Sequence, residues 1–513
     1  MNNSLSKPLL SALSGFTVTH MGLQFVGARE KDLERGIKSI AEKMGFSGPD
    51  ACAEWLLNKP LTTEQIEVLA SYLTIGETYF FRDARYFELL EHKLLLERIQ
   101  TEQYQTKRLR IWSAGCSTGE EAYTIAMLIS RLIPHWREWQ ITVLATDINV
   151  QALAYLGQGV YREWSFRDVP AAIKTEYFDR DNEANYHIKP HLKEMVTSNY
   201  LNLATDTYPS VDNNTNAMDV IFCRNVLMYF APEQAAKVVR QLAHCLVPGG
   251  WLIVSPCECG QPYFNEMQSV QFPTETGANA TVYQKLTEQQ IADKLLEQKT
   301  LSHPIKPFIK QRQVTDFEVK SQSTNKSPIS NHVVYPADSA TDYQRAQQYY
   351  QEGLYKHAIL AIEQTTSPAT GSIENMELLA RSYANLGQLD VALVWIHHAV
   401  KKDKTNVKLL YLHALILTEL SHYDKAMTAF KEILYLDHSF ILAHFNLGHI
   451  ALHFGLKKEA NKYFCNAMKL ASHYGIEEVI PESEGLTVGR LLEVIELQQK
   501  QLDQKIKGGA PWK

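Results

Sequence analysis

The sequence predicts two folded bodies of different class: an α/β unit built on a mostly parallel sheet and preceded by helices, followed by an all-α solenoid. Three observations predict this. Between residues 109 and 255 five short apolar runs alternate with helical patterns, as do parallel strands covered on both faces. After residue 341 small residues recur every 34 positions, which is the mark of stacked helix pairs. Between these regions, 288–338 loses periodicity and becomes polar, proline-dotted and serine-rich, a linker composition.

Taken in order, the opening MNNSLSKPLLSALSGF lacks the charged start and long apolar stretch of a secretory signal, and no run of 18 apolar residues occurs. The expectation is therefore a cytoplasmic protein with no membrane insertion. Residues 15–85 read as a helical domain, including REKDLERGIKSIAEKM and TTEQIEVLASYLTI. Residues 86–287 hold the strand candidates LRIWSA (109–114), ITVLAT (141–146), EMVTS (194–198), DVIFCR (219–224) and WLIVS (251–255). QSVQF and TVYQKL follow close together in sequence and predict an antiparallel edge on a Rossmann-like sheet.

A net charge of -6 with 45% hydrophobic residues gives no overall attraction to nucleic acid. The seven cysteines are odd in number and scattered, which favours reduced thiols. Cys257 and Cys259 lack a second pair at zinc spacing, so no metal is expected.

In the repeat, Ala346, Ala380, Ala414 and Gly448 stand 34 apart, as do Ala358, Ala392, Ala426 and Ala460. Gly353, Gly387, Ser421 and Gly455 mark the turns, and Ile362, Ile396, Phe430 and Phe464 follow the second small position by four. Small residues let helices approach while the large ones fill the groove between them. The pattern resembles the tetratricopeptide repeat (TPR), with four units over 339–474, although Lys404 and His438 stand where a closing proline is common. An amphipathic segment, 485–505, is expected to cap the array.

The stretch WSAGCSTGEEAYTIAMLI (112–129) places a glycine loop between a strand and a helix, where a ligand is commonly held. A nucleoside triphosphate would want a lysine and a hydroxyl residue after the second glycine, and the loop has Glu120 and Glu121 instead. A pyrophosphate would be repelled by those carboxylates at the helix start. S-adenosylmethionine, an adenosine with a positive charge and no phosphate, suits both features. Asp147, ending the next strand in ATDIN, can accept from ribose hydroxyls. Simpler roles also exist: Glu120 and Glu121 can stabilise a helix start, and Thr118 with Glu121 can form a capping box.

Two further stretches, LTIGETYFFRDARYF (73–87) and IFCRNVLMYF (221–230), complete a set of motifs: T-x-FFRD, S-x-x-x-STGEE, ATDIN, the Asn202–Leu203 pair and FCRNV-x-x-YF. With these the chain resembles the CheR family of chemotaxis protein glutamate methyltransferases over roughly 15–287. The tailed form is similar to members in Wsp-type surface-sensing pathways. The resemblance implies that Gly76, Thr78, Arg82, Glu121, Asp147, Asn202, Leu203, Arg224 and Asn225 line the S-adenosylmethionine site, with Arg82 and Tyr229 catalytic. It implies as partners the cytoplasmic domain of a methyl-accepting chemoreceptor, met by basic N-terminal residues such as Arg29, and a protein or peptide in the TPR groove. It also implies a small β subdomain at 177–198. Gly76 stands where the family often has asparagine, and Ser255-Pro256-Cys257-Glu258 replaces a commoner Gly-His-Ser-Glu. The alternative function is a cofactor-binding adaptor that acts mainly through its repeats.

Overall fold

The structure is a computed structural model that describes residues 5–58, 63–100, 107–287 apart from 168, 266 and 274–278, residue 290, and 342–499 apart from 364–365, 368–370, 477, 484–485, 490, 493, 496–498. The expected linker, 288–338, lies outside the described residues except for 290. The first helices are α1 (Lys7–Met21), α2 (Glu30–Met44), α3 (Pro49–Asn58) and α4 (Thr63–Leu73). They enclose a core that includes Leu33, Ile37, Ile40, Cys52 and Leu69. Helix α1 begins eight residues before the expected start of the helical domain, because Pro8 suits a first helical turn and Leu13 and Met21 are buried. Helices α5 (Ala84–Leu89) and α6 (Leu95–Gln100) then lead into the sheet.

The sheet strands are β1 (Arg108–Ala114), β2 (Gln140–Asp147), β6 (Val196–Tyr200), β7 (Met218–Phe222), β8 (Leu246–Ile253), β9 (Gln268–Pro273) and β10 (Asn279–Gln284), in the order β6-β2-β1-β7-β8-β10-β9. The pairs from β6 to β8 are parallel, and β10 runs antiparallel to β8 and β9. Ile111, Val143, Val220 and Trp251 share one register row and pack with helix α7 (Glu120–Leu132). Trp112, Leu144, Ile221 and Leu252 form the row behind it. From β1 the chain steps outward through α8 (Val150–Gln158) to β6, and from β7 it steps the other way through α11 (Pro232–Cys245). The strand order therefore reverses between β1 and β7, which opens a crevice at the carboxyl ends there.

The range 177–198 for the small subdomain needs correction. A three-stranded antiparallel sheet is formed by β3 (Val160–Tyr161), β4 (Phe178–Arg180) and β5 (Tyr186–Ile188). It begins earlier because Tyr186 pairs with both Tyr161 and Arg180, and it ends earlier because residues 196–200 pair with β2. The short helix α9 (Ala171–Tyr177) lies between β3 and β4, and the short helix α10 (Pro190–Lys193) follows β5.

The repeat is built from α12 (Asp342–Gln351), α13 (Tyr355–Ile362), α14 (Ile373–Asn385), α15 (Leu389–Lys402), α16 (Val407–Glu419), α17 (Tyr423–Leu436), α18 (Ile441–His453) and α19 (Lys457–Ala471). Every alanine of the 34-residue pattern is 0% exposed, as close helix approach requires. Of the segment expected to cap the array, Val488, Leu491 and Ile495 are described and join the core of the last repeats. The turn residues Gly353, Gly387, Ser421 and Gly455 all take a left-handed backbone, Ser421 at φ 56. A serine is strained there by roughly 1 kcal/mol and glycine is not. Ser421→Gly is expected to stabilise the array by about 0.5–1 kcal/mol, read as a higher melting temperature.

Burial pushes three imidazoles, His244, His413 and His449, down from 6.5 to about 4. Between those values the unfolded chain binds protons that the native chain refuses, so their contribution to stability is full above about pH 6.5 and is lost toward pH 4. The melting temperature is expected to fall by several degrees from pH 7 to pH 5, and His449→Gln should blunt that fall.

Candidate functional site

The crevice is shaped first by the loop after β1. Gly115 has φ +80, and a Cβ there would come within 2.4 Å of Val226 Cγ2, so only glycine fits. Ser117 follows at φ 50 and turns its backbone N–H to Asp147 Oδ2 at 2.8 Å, while the Asn149 N–H donates to Oδ1 at 2.8 Å. A carboxylate so held keeps accepting capacity on both oxygens. Burial raises the Asp147 pKa, and the N–H groups of Asn149 and Ser117 oppose that rise.

On the other side of the reversal, Asn225 leaves β7 at φ 58. Its loop is clasped by the buried carboxylate of Glu258, which accepts from the N–H groups of Asn225 (3.0 Å), Val226 (2.8 Å) and Met228 (3.1 Å) and from Ser255 N–H at 2.9 Å. Tyr229 ends the short turn that follows. Arg29 stacks over its ring at 4.7 Å and over Phe25 at 4.6 Å, and donates to the Gln24 carbonyl at 2.6 Å. Burial raises the Tyr229 phenol pKa, with Arg29 and Arg82 pulling the other way.

The resulting groove brings together Gly76, Asp147, Asn202, Leu203, Asn225 and Tyr229, with Ile148, Val226 and Phe230 as apolar walls. Thr78, Arg82, Glu121 and Arg224, expected to line the same groove, form no part of its lining. Arg224 instead bridges Glu121 at 3.1 Å, Asp83 at 2.9 Å and the Arg82 carbonyl at 2.7 Å, and Ser113 donates to Glu121 at 2.7 Å. These groups pair through both terminal nitrogens of Arg224 as a strut that ties the 76–83 turn to the sheet, because a buried guanidinium must be paired. Arg82 makes no ion pair with its neighbour Asp83. Its Nη1 donates to the Glu77 carbonyl at 2.6 Å, next to Gly76, and Thr78 is half-buried in the same turn. The turn carries two strained residues, Phe81 at φ 57 and Asp83 at φ 56. Asn202 spends its side-chain N–H on the His20 carbonyl at 2.8 Å and its oxygen on Ala204 N–H, linking the helical domain to the crevice.

The two glutamates part company. Glu120 turns inward, accepting from Thr118 at 2.6 Å and Ser165 at 2.9 Å, and burial raises its pKa. Glu121 faces Arg224. The capping box is not formed: Gly119 is the helix N-cap, without a side-chain bond.

Sequence reasoning missed two residues. Arg29 was expected on a receptor-facing surface and instead lies in the groove wall, since its turn, Gly27–Arg29, precedes α2. Glu258 gave two signals, an acidic residue just beyond an apolar strand and the glutamate that Ser255-Pro256-Cys257-Glu258 shares with the family's Gly-His-Ser-Glu, but neither showed its role as the clasp of the Asn225 loop. Among the described residues, Arg29 is the one lysine or arginine lining the groove and is already engaged, so these residues offer no free cation to a polyphosphate. A shared carboxylate, apolar walls and a glycine-opened floor fit an adenosine bearing a positive charge.

Comparison with known proteins agrees. Residues 76–270 match the family described as CheR methyltransferase, SAM binding domain. A chemotaxis protein methyltransferase of Borreliella burgdorferi is 29% identical over 262 residues, 50% of this chain and 90% of its own length. A probable chemotaxis protein methyltransferase of Rhizobium etli is 32% identical over 218 residues, 42% of this chain and 79% of its own. Chemotaxis protein methyltransferase 1 of Pseudomonas aeruginosa is 32% identical over 209 residues, 40% and 74%. Residues 331–433 match the family described as anaphase-promoting complex, cyclosome, subunit 3. YrrB, a solved TPR protein with an unusual peptide-binding site, is 18% identical over 25% of this chain and 66% of its own, with a TM-score of 0.24, too low to carry weight. A crevice suited to a phosphate-free adenosine thus coincides with aligned relatives of one kind, and the chain belongs to the CheR family of S-adenosylmethionine-dependent methyltransferases, with a TPR-like helical repeat behind the catalytic fold.

Proposed function

We propose that the chain methylates glutamate side chains on the cytoplasmic domain of a methyl-accepting chemoreceptor, working in the cytoplasm, with 86–287 catalytic and 339–474 for protein contacts. The reading is supported by a groove lined by Asp147 and Tyr229, with Arg82 bonded to the Glu77 carbonyl next to the lining residue Gly76, in a chain whose relatives are named chemotaxis protein methyltransferases. Bound S-adenosylmethionine would supply an electrophilic methyl group on a sulfonium. Asp147 would accept from the ribose hydroxyls, Leu203 and Ile148 would flank the base, and Asn202 would act mainly through its backbone.

A glutamate with an ordinary pKa near 4.3 is already ionised at neutral pH. The site therefore needs to orient the carboxylate, not to deprotonate it. Arg82 supports that role, since its guanidinium has a single carbonyl partner described and can turn a two-pronged face to a carboxylate. Tyr229 offers a ring wall and a hydroxyl at the crevice. The product is a glutamyl methyl ester, which releases methanol in base.

The test is incubation of the purified protein with methyl-labelled S-adenosylmethionine and receptor-bearing membranes. Base-labile label in receptor bands is expected. Cofactor binding without incorporation into any receptor would favour the adaptor reading and overturn this one.

A further inference from the structure

The connection from β6 to β7, residues 201–217, runs from the cofactor end of the sheet to its opposite end, and no helix forms along it. Its first part lines the crevice through Leu201, Asn202 and Leu203. Its second part is held by the repeat array. Val211 packs against the apolar cores of both halves of the array. The Tyr411 hydroxyl donates to Asp212 at 2.9 Å, and Asn216 donates to the Ala384 carbonyl at 3.4 Å and to Glu419 at 3.3 Å.

The amino ends of the strands join the same contact. Arg108, opening β1, pairs with the buried Glu419 at 3.6 Å, and Gln140, opening β2, donates to the Leu420 carbonyl at 2.9 Å. Buried Arg110 clamps the segment from the sheet side through the carbonyls of Asn214 at 2.8 Å and Asn216 at 3.1 Å. Right-handed connection from β6 to β7 would normally lay a helix over this face of the sheet. Here the array faces it instead, across a cleft of about 650 Å³.

We propose that the inner face of the repeat array is an intramolecular docking surface for residues 205–217, and that this docking positions the cofactor loop at Leu201–Leu203. Releasing the segment lowers the fraction of chains with a formed crevice and weakens S-adenosylmethionine binding by that fraction. An extended partner with a branched apolar residue before an acidic one, as in Val211–Asp212, would compete for the same face. The inference rests on the reading that the cofactor lies in the Asp147 groove.

The test uses the full chain. S-adenosylmethionine affinity is measured by calorimetry, and hydrogen exchange of 201–217 by mass spectrometry, for Glu419→Arg, Tyr411→Phe, the swap of Arg108→Glu with Glu419→Arg, and Asp147→Ala. Glu419→Arg is expected to weaken binding about tenfold, and Tyr411→Phe, which keeps the ring packed, about threefold. Both should speed exchange at 205–217 and leave kcat at saturating cofactor unchanged, and the swap should restore affinity. Unchanged affinity with faster exchange, unchanged exchange in both single variants, or no recovery in the swap overturns the proposal. Asp147→Ala separates the two readings: if it binds normally, the groove assignment fails, and if it alone loses binding, docking has no role.

Discussion

Arg82→Ala is expected to lower methyl transfer by about a hundredfold or more at saturating cofactor while leaving the melting temperature within a degree or two of the parent. The magnitude follows from lost orientation, where a misplacement of about 1 Å can cost on the order of 10²-fold. Stability is spared because the described bond of the Arg82 side chain is to the Glu77 carbonyl in its own turn. The turn itself is held by Arg224 through the Arg82 carbonyl and Asp83, neither of which the substitution removes. The defect should appear in kcat and in the acceptor KM, with cofactor affinity little changed. Near-parental methylation by this variant would remove Arg82 from the proposed role.

Glu258→Gln should have the second largest effect, and of a different kind. The carboxylate accepts from the N–H groups of Asn225, Val226, Met228 and Ser255. An amide has one accepting atom in place of two and brings its own N–H donors against them, leaving buried groups unpaired at about 1–3 kcal/mol each. The loop it holds carries Asn225 in a strained left-handed backbone and leads to Tyr229. Expected results are a cofactor KM about tenfold higher, a smaller loss in kcat and a melting temperature several degrees lower. Unchanged cofactor KM in a folded variant would reduce Glu258 to a structural role.

Much of the fold was legible because local pattern and burial agree. The run LRIWSA reads as a strand because Leu109 and Ile111 face one core and Trp112 and Ala114 another. The repeat was legible because close helix packing admits only small residues at Ala380, Ala392, Ala414 and Ala426, whatever surrounds them. EMVTS ran two residues ahead of β6 because Met195 is buried before the strand begins, and apolar character alone does not say where pairing starts.

The site was legible in part. Gly115 and Asp147 announce themselves, since a loop pressed against Val226 admits no side chain and a strand-end carboxylate has few uses. Glu121 and Arg224 share the motif but satisfy each other, which spacing does not reveal across 103 residues.

By itself the sequence determined the two architectures, the strands of the larger sheet, the repeat length and the phosphate-free character of the ligand, because each rests on short-range periodicity or on the sign of nearby charges. Tertiary structure alone decided that Glu120 turns inward, that Arg29 closes the groove against Tyr229, and that Asp212 and Asn216 reach Tyr411 and Glu419. Those pairings join residues far apart in the chain, where geometry and the need to satisfy buried polar groups choose the partner.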